Sequence, residues 1–166
     1  MKLSVSLLKH PIHFLALGFG SGLAPKAPGT FGTLMAVPLF VVMAYVLTTT
    51  QLYIAIALVS VVGIYICDQS AKLLGVHDHP GIVWDEFAGY FISMLFLPVN
   101  ALTLLLAFGL FRFFDILKPW PIRWIDKKVA GGFGIMLDDI IAGVFANIIA
   151  CLIWYYTPVS GWFGYA

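Results

Sequence analysis

The sequence predicts an all-α fold, a polytopic membrane helical bundle of about five apolar helices plus an N-terminal interfacial helix, in a single domain over residues 1–166. Three observations lead there. Hydrophobic residues make up 61% of the chain and charged residues only 10%, against roughly 25% charged in an ordinary soluble domain. The apolar residues fall into five long runs bounded by turn or charge signals. The charges, finally, avoid the connections between alternate runs.

Taken in order, the first element begins MKLSVSLLKHPIHFLALGFG. Its apolar run is broken by Lys9, His10, Pro11 and His13, and no small-residue cleavage site follows. The segment therefore reads as an interfacial helix over about residues 11–18 rather than a signal peptide. The five apolar runs cover residues 33–48, 52–67, 82–97, 101–114 and 135–156. The first two meet at Thr49, Thr50 and Gln51. The third and fourth meet at Pro98-Val99-Asn100, a tight helical hairpin turn. Cys67 and Cys151 both lie in apolar runs and are expected to be free, buried thiols.

With alternating spans, all nine Lys and Arg residues, from Lys2 to Lys128, fall on one side, and so do all eight acids. The positive-inside rule makes that side cytoplasmic. The opposite face carries short polar hairpins and the uncharged C-terminal SGWFGYA. A net charge of +1 excludes nucleic acid, whose ligands need a dense basic surface.

Two acidic pairs stand against this apolar background: Asp85-Glu86 in GIVWDEFAGYF and Asp138-Asp139 in GIMLDDIIAGVF. A carboxylate carried to the hydrocarbon centre costs about 2.5–3.5 kcal/mol on insertion scales. Four together call for a metal or a proton pathway. A third run beginning at Glu86 would reach only about 18 Å by Leu97, so a crossing helix must start near Ile82. From Asp138 to Tyr156 the reach is about 28 Å. Both pairs then sit near the depth of lipid phosphates. Asp85 precedes Gly89 by four residues as Asp139 precedes Gly143, each glycine following an alanine, so a close helix approach can lie beneath each acid. Adjacent acids on a helix point about 100° apart. Asp85 and Asp139 are placed on the glycine-bearing interior face, with Glu86 and Asp138 assisting as ligands. The competing reading is that the acids cap helix N-termini.

Other residues could complete such a site. In GFGSGLAPKAPGTFGTL, glycines let backbone approach an anion, while Lys26, Thr30 and Thr33 precede or open a helix suited to phosphate; a structural turn is the other reading. In FRFFDILKPWP, Arg112, Asp115 and Lys118 recur at steps of three along one helical face. They read either as phosphate and metal binders or as an internal ion pair with a snorkelling lysine. Trp120, Trp124, Arg123, Lys127 and Lys128 read as an interfacial belt attracted to anionic lipid headgroups. His77 and His79 flank Asp78 and are candidates for acid–base work. Asp68 is expected to cap or to pair with Lys72.

These segments together resemble the bacterial phosphatidylglycerophosphatase A family. The resemblance runs from about His13 to Ala150 through GFGSGLAPKAPGTFGTL, GVHDHPGIVWDEFAG, FRFFDILKPWPIRWID and GGFGIMLDDIIAG. It implies a multi-pass protein of the bacterial inner membrane with its site facing the cytoplasm. It also implies an all-helical, Mg²⁺-dependent phosphatase that removes the terminal phosphate of phosphatidylglycerophosphate to give phosphatidylglycerol. Set beside that expectation, the residues suggest Mg²⁺ held by Asp85, Glu86, Asp138 and Asp139. Asp85, Asp139 and Asp115 are the catalytic candidates, and Arg112, Lys118, Lys26, Thr30 and Thr33 form a phosphate cradle. A metal-activated water is the simplest nucleophile. The signatures of aspartate-nucleophile, acid-phosphatase-type and cysteine phosphatases do not occur. An ion-coupled small transporter is the alternative, but acids confined to one surface leave no relay across the membrane. The sequence sets no oligomeric state.

Overall fold

A computed structural model describes residues 3–158; Lys2 and the C-terminal SGWFGYA lie outside the described residues. Among the described residues the regular structure is entirely helical. A short α1 (Pro11–Ala16) lies within the stretch expected for the interfacial helix. It is followed by α2 (Pro28–Val46), α3 (Thr49–Leu74), α4 (Trp84–Ser93), α5 (Ala101–Leu117), α6 (Ile122–Lys128) and α7 (Gly131–Tyr156).

The helix boundaries follow local chemistry. Pro28 opens α2, where its missing N–H would have had no helical partner. Thr48 and Gln51 form a reciprocal capping box at the start of α3. The three residues expected as a turn, Thr49 to Gln51, are therefore the first turn of a helix. Asn100 and Thr103 form the equivalent pair at α5, with Asn100 Oδ1 accepting the Thr103 N–H at 3.0 Å. Gly75, at φ 69°, ends α3 in the left-handed region.

Of the five apolar runs, three become helices long and apolar enough to cross a membrane: α2, α3 and α7. The 17 residues of α5 reach about 26 Å. The ten residues of α4 reach only about 15 Å, half of a hydrocarbon core of about 30 Å. The third run was expected to continue as helix to Leu97. It stops at Ser93, whose hydroxyl donates to the Tyr90 carbonyl at 2.7 Å. Phe96 then takes a left-handed φ of 64° two residues before Pro98.

Although short, α4 is the centre of the bundle, touching α2, α3, α5 and α7. Phe87, Tyr90 and Phe91 of α4 pack with Phe40 of α2, Phe111 of α5 and Trp154 of α7. The outward faces of the long helices stay apolar, with Val42, Leu58, Val61, Leu105 and Leu152 exposed. Such a surface suits lipid rather than water. Side-chain contacts sort the helix ends. The start of α2, the end of α3, the start of α4, the end of α5 and the first third of α7 meet at one end, with the charged residues. The 47–49 and 98–100 connections meet the end of α7 at the other.

The spacing of Gly89 and Gly143 produces the expected close approach. A Cβ on Gly143 would lie 2.3 Å from the Gly89 carbonyl oxygen, so α4 and α7 meet backbone to backbone there. Further along, α7 repairs the broken end of α4. Asn147 donates to the carbonyls of Ser93 and Leu95 at 3.1 and 2.5 Å, and Tyr155 donates to Phe96 at 2.6 Å. The thiol of Cys151 lies 3.8 Å from the Leu95 oxygen. Carbonyls freed inside an apolar bundle need such partners. Cys67 and Cys151 are both free thiols, the first buried and the second half-buried.

Candidate active site

One helical turn on the acid side of the glycine contact, α4 and α7 bring three carboxylates together. Asp85, Glu86 and Asp139 each present an oxygen, and these oxygens all lie within 4.8 Å of one another. Glu86 and Asp139 are buried. Asp138, rotated by one residue on α7, faces elsewhere and meets Lys118 Nζ at 2.5 Å. The structure thus gathers three of the four paired acids and gives the fourth to a lysine.

The helix-start reading holds only in part: Asp85 and Glu86 stand in the first turn of α4, where carboxylates meet the macrodipole, but neither caps it. The N-cap of α4 is Val83, and no side chain caps it. The expected start of α7 near Ile135 moves back to Gly131, so Asp138 and Asp139 lie two turns inside the helix. The cap-like contact at α7 comes instead from Asp68, whose Oδ1 accepts the Gly132 N–H at 3.3 Å while Oδ2 pairs with Lys72 at 2.6 Å.

The cluster is electrostatically incomplete. Asp85 Oδ1, Glu86 Oε2 and Asp139 Oδ2 are buried without a hydrogen-bond partner among the described residues. Each such orphan costs about 1–3 kcal/mol, and more when charged. Three converging, under-coordinated carboxylates are oxygen donors of the kind a hard divalent cation takes, and they could hold one.

Two cations flank the cluster without satisfying it. Arg112 Nη1 lies 2.5 Å from Asp115 Oδ2, 3.7 Å from Glu86 Oε1 and 3.5 Å from Thr33 Oγ1. The internal Arg112–Asp115 pair is therefore formed, and Asp115 also comes within hydrogen-bonding reach of Asp139. Gly29 makes room for this contact, since a Cβ there would stand 2.2 Å from Glu86 Oε1. On the other flank, Lys118 bridges Asp126 at 2.6 Å and Asp138. Burial works against its charge, but the hydrogen bonds to those two acids carry its pKa above that of an ordinary lysine.

The acids and Lys118 line a cavity of about 320 Å³ together with His77, Asp78 and His79. His79 Nδ1 accepts the Gly81 N–H at 3.0 Å. The remaining cradle candidates lie outside that lining. Lys26 is exposed in the loop before α2, Thr30 is half-buried in the first turn of α2, and Thr33 is buried behind Arg112 with its hydroxyl on the Gly29 carbonyl. Sequence reasoning missed Asp126 and Asp78 as members of the site. Asp126 sits among Arg123, Lys127 and Lys128, where the local pattern spoke of an interfacial belt. Only the turn between α5 and α6 reveals its partner, Lys118.

Similarities to known proteins give the chain a family. A model of the phosphatidylglycerophosphatase A family matches residues 14–154. The phosphatidylglycerophosphatase A of Escherichia coli (strain K12) is 47% identical over 155 residues, covering 92% of this chain and 89% of that protein. That of Haemophilus influenzae is 48% identical over 153 residues, covering 92% and 93%. A putative phosphatidylinositol-3-phosphatase of Bacteroides thetaiotaomicron is 35% identical over 142 residues, covering 81% and 88%. No solved structure matches the chain. On the family match over most of its length, the chain belongs to the phosphatidylglycerophosphatase A family, and with it to the phosphatases.

Proposed function

We propose that this protein hydrolyses the terminal phosphomonoester of phosphatidylglycerophosphate to give phosphatidylglycerol, as an Mg²⁺-dependent enzyme of the bacterial inner membrane whose acidic end faces the cytoplasm. The observation that carries the site is the convergence of three under-coordinated carboxylates, Asp85, Glu86 and Asp139, in one cavity. Mg²⁺ bound there would neutralise phosphate oxygens and lower the pKa of a bound water.

The chain's own residues do the rest. Asp85, Glu86 and Asp139 would hold the cation, and the carboxylates around the cavity take the proton that the attacking water gives up. Water oxygen bonds to phosphorus as the bond from phosphorus to the glycerol oxygen breaks. His77 or His79, both at the cavity, returns a proton to that leaving oxygen. Lys118 lines the cavity where phosphate charge accumulates, and Arg112 stands behind it on Glu86 and Asp115. Thr33 braces the start of α2 through the Gly29 carbonyl, while Lys26 and Thr30 stand outside the cavity lining. The acidic cluster occupies one end, and the described residues at the opposite end carry no Asp or Glu. This favours surface hydrolysis over an ion path.

The test is phosphate release by purified protein from phosphatidylglycerophosphate in neutral detergent, with Mg²⁺ or with chelator. Release that requires Mg²⁺ is expected. Absence of release with metal present overturns the activity, and undiminished release in chelator overturns the metal requirement.

A further inference from the structure

A second cavity, of about 410 Å³, adjoins the first and shares Lys118 with it. Its other walls are Pro119, Trp120, Arg123, Trp124 and Lys127. The aromatic walls are open, Trp120 being 82% exposed and Trp124 57%. Indoles in such positions sit at headgroup level in a membrane. The charges here are uneven. The acid of α6, Asp126, is already taken by Lys118. Arg123 and Lys127 have no ion pair among the described residues, and the Arg123 guanidinium makes only a long 3.4 Å contact to the Leu117 carbonyl. The groove therefore offers two uncompensated cations beside Lys118, next to a cavity built for a phosphomonoester.

The proposed substrate carries two phosphates: the terminal monoester and the diester that joins the headgroup glycerol to the lipid. We infer that the groove between Lys118 and Lys127 seats the bridging phosphodiester of the substrate lipid, while the monoester enters the carboxylate cavity. This rests on the substrate reading above and extends it to headgroup selection. Arg123 and Lys127 take the diester oxygens, Trp120 and Trp124 hold the glycerol backbone at the interface, and Lys118 stands at the join. Phosphatidylglycerol, which keeps the diester and lacks the monoester, should then occupy the groove alone. Inorganic phosphate should occupy only the carboxylate cavity.

The experiment compares wild type with Arg123→Ala/Lys127→Ala in neutral detergent micelles, where attraction to a charged membrane surface plays no part. The double variant is expected to raise KM for phosphatidylglycerophosphate about tenfold while kcat stays within about twofold. The inhibition constant of phosphatidylglycerol should rise by the same factor, and that of inorganic phosphate should not move. Arg123→Lys/Lys127→Arg should restore most of the affinity. Unchanged KM and unchanged phosphatidylglycerol inhibition overturn the proposal. So does equal weakening of inorganic phosphate, which would mean a disturbed catalytic cavity. Direct binding of phosphatidylglycerol to both proteins in the same micelles needs no turnover. If wild type releases no phosphate yet binds phosphatidylglycerol about tenfold better than the double variant, the groove stands and the activity falls. If both bind alike, the groove falls.

Discussion

The two ends of α4 place polar groups in the same apolar bundle and treat them in opposite ways. At its end, the chain leaves helical geometry and frees the carbonyls of Ser93, Leu95 and Phe96; Asn147, Cys151 and Tyr155, at steps of four along α7, come to meet them. At its start, the same two helices bring Asp85, Glu86 and Asp139 together and leave an oxygen of each without a partner. The glycine contact of Gly89 with Gly143 lies between the two regions and holds both in register. Polar groups that serve the fold are answered from within the chain. On the function proposed above, the three carboxylate oxygens left unanswered are the ones a bound cation would answer.

The largest effect expected from breaking this contrast is at the unanswered end. Asp139→Asn and Asp85→Asn should each lower phosphate release about a thousandfold, because the cation site loses charge where it has fewest ligands to spare. Without metal, the same substitutions should raise the melting temperature, since each removes one of three crowded, buried carboxylates. Wild type should gain about 2.7 kcal/mol from Mg²⁺ at a hundred times its dissociation constant, and the variants should gain much less. A variant that retains both the stabilisation and the activity would remove that residue from the metal set.

At the answered end the signs reverse. Asn147→Leu removes the donor to two carbonyls and should destabilise the protein by about 2–3 kcal/mol, read by thermal unfolding in detergent. Its Mg²⁺ requirement and kcat should stay within about threefold of wild type. A loss of metal dependence in this variant would show that the two ends are not separable.

Arg112 sits on the boundary of the comparison, because it neutralises part of the cluster without completing it. Its Nη1 alone reaches Asp115, Glu86 and Thr33, held there by a planar group whose reach and rigidity a lysine stem does not share. Arg112→Lys should raise the Mg²⁺ concentration for half-maximal activity about tenfold, with KM for lipid changed less than twofold. The reverse pattern would make Arg112 a direct phosphate ligand.

Much of this was legible in the residues. Composition and run lengths foretold an all-helical membrane bundle, and the acid-to-glycine spacing foretold the contact of α4 with α7. The acidic pairs marked the candidate site because carboxylates in an apolar run demand an explanation by their cost alone. The shortness of α4 was hidden, because Ile92 to Leu97 is as apolar as a continuing helix would be. What ends α4 is a tertiary exchange with Asn147 and Tyr155, more than fifty residues away. The division of labour between Asp138 and Asp139 was also hidden. It depends on where the left-handed end of α5 puts Lys118, which no helical periodicity reaches. Asp126 was obscured for the same reason, and its charged neighbours, Arg123, Lys127 and Lys128, are all basic.

The smallest effect tests how dry the answered end is. Tyr155 is 59% exposed, yet its hydroxyl reaches the Phe96 carbonyl at 2.6 Å. It lies at the far end of α7, opposite the charged end, where headgroups and water can compete for the same carbonyl. Asn147 is half-buried and lies two turns deeper. A hydrogen bond open to water is worth less than one inside the bundle, so Tyr155→Phe should cost about 0.5–1 kcal/mol against about 2–3 kcal/mol for Asn147→Leu. The comparison is read by thermal unfolding of both variants in one detergent. If Tyr155→Phe proves as damaging as Asn147→Leu, water does not reach Phe96, and the unwound segment after α4 lies within the apolar layer rather than at its edge. A graded pair of losses would place the break in α4 inside the membrane and its return to polar surroundings at Phe96.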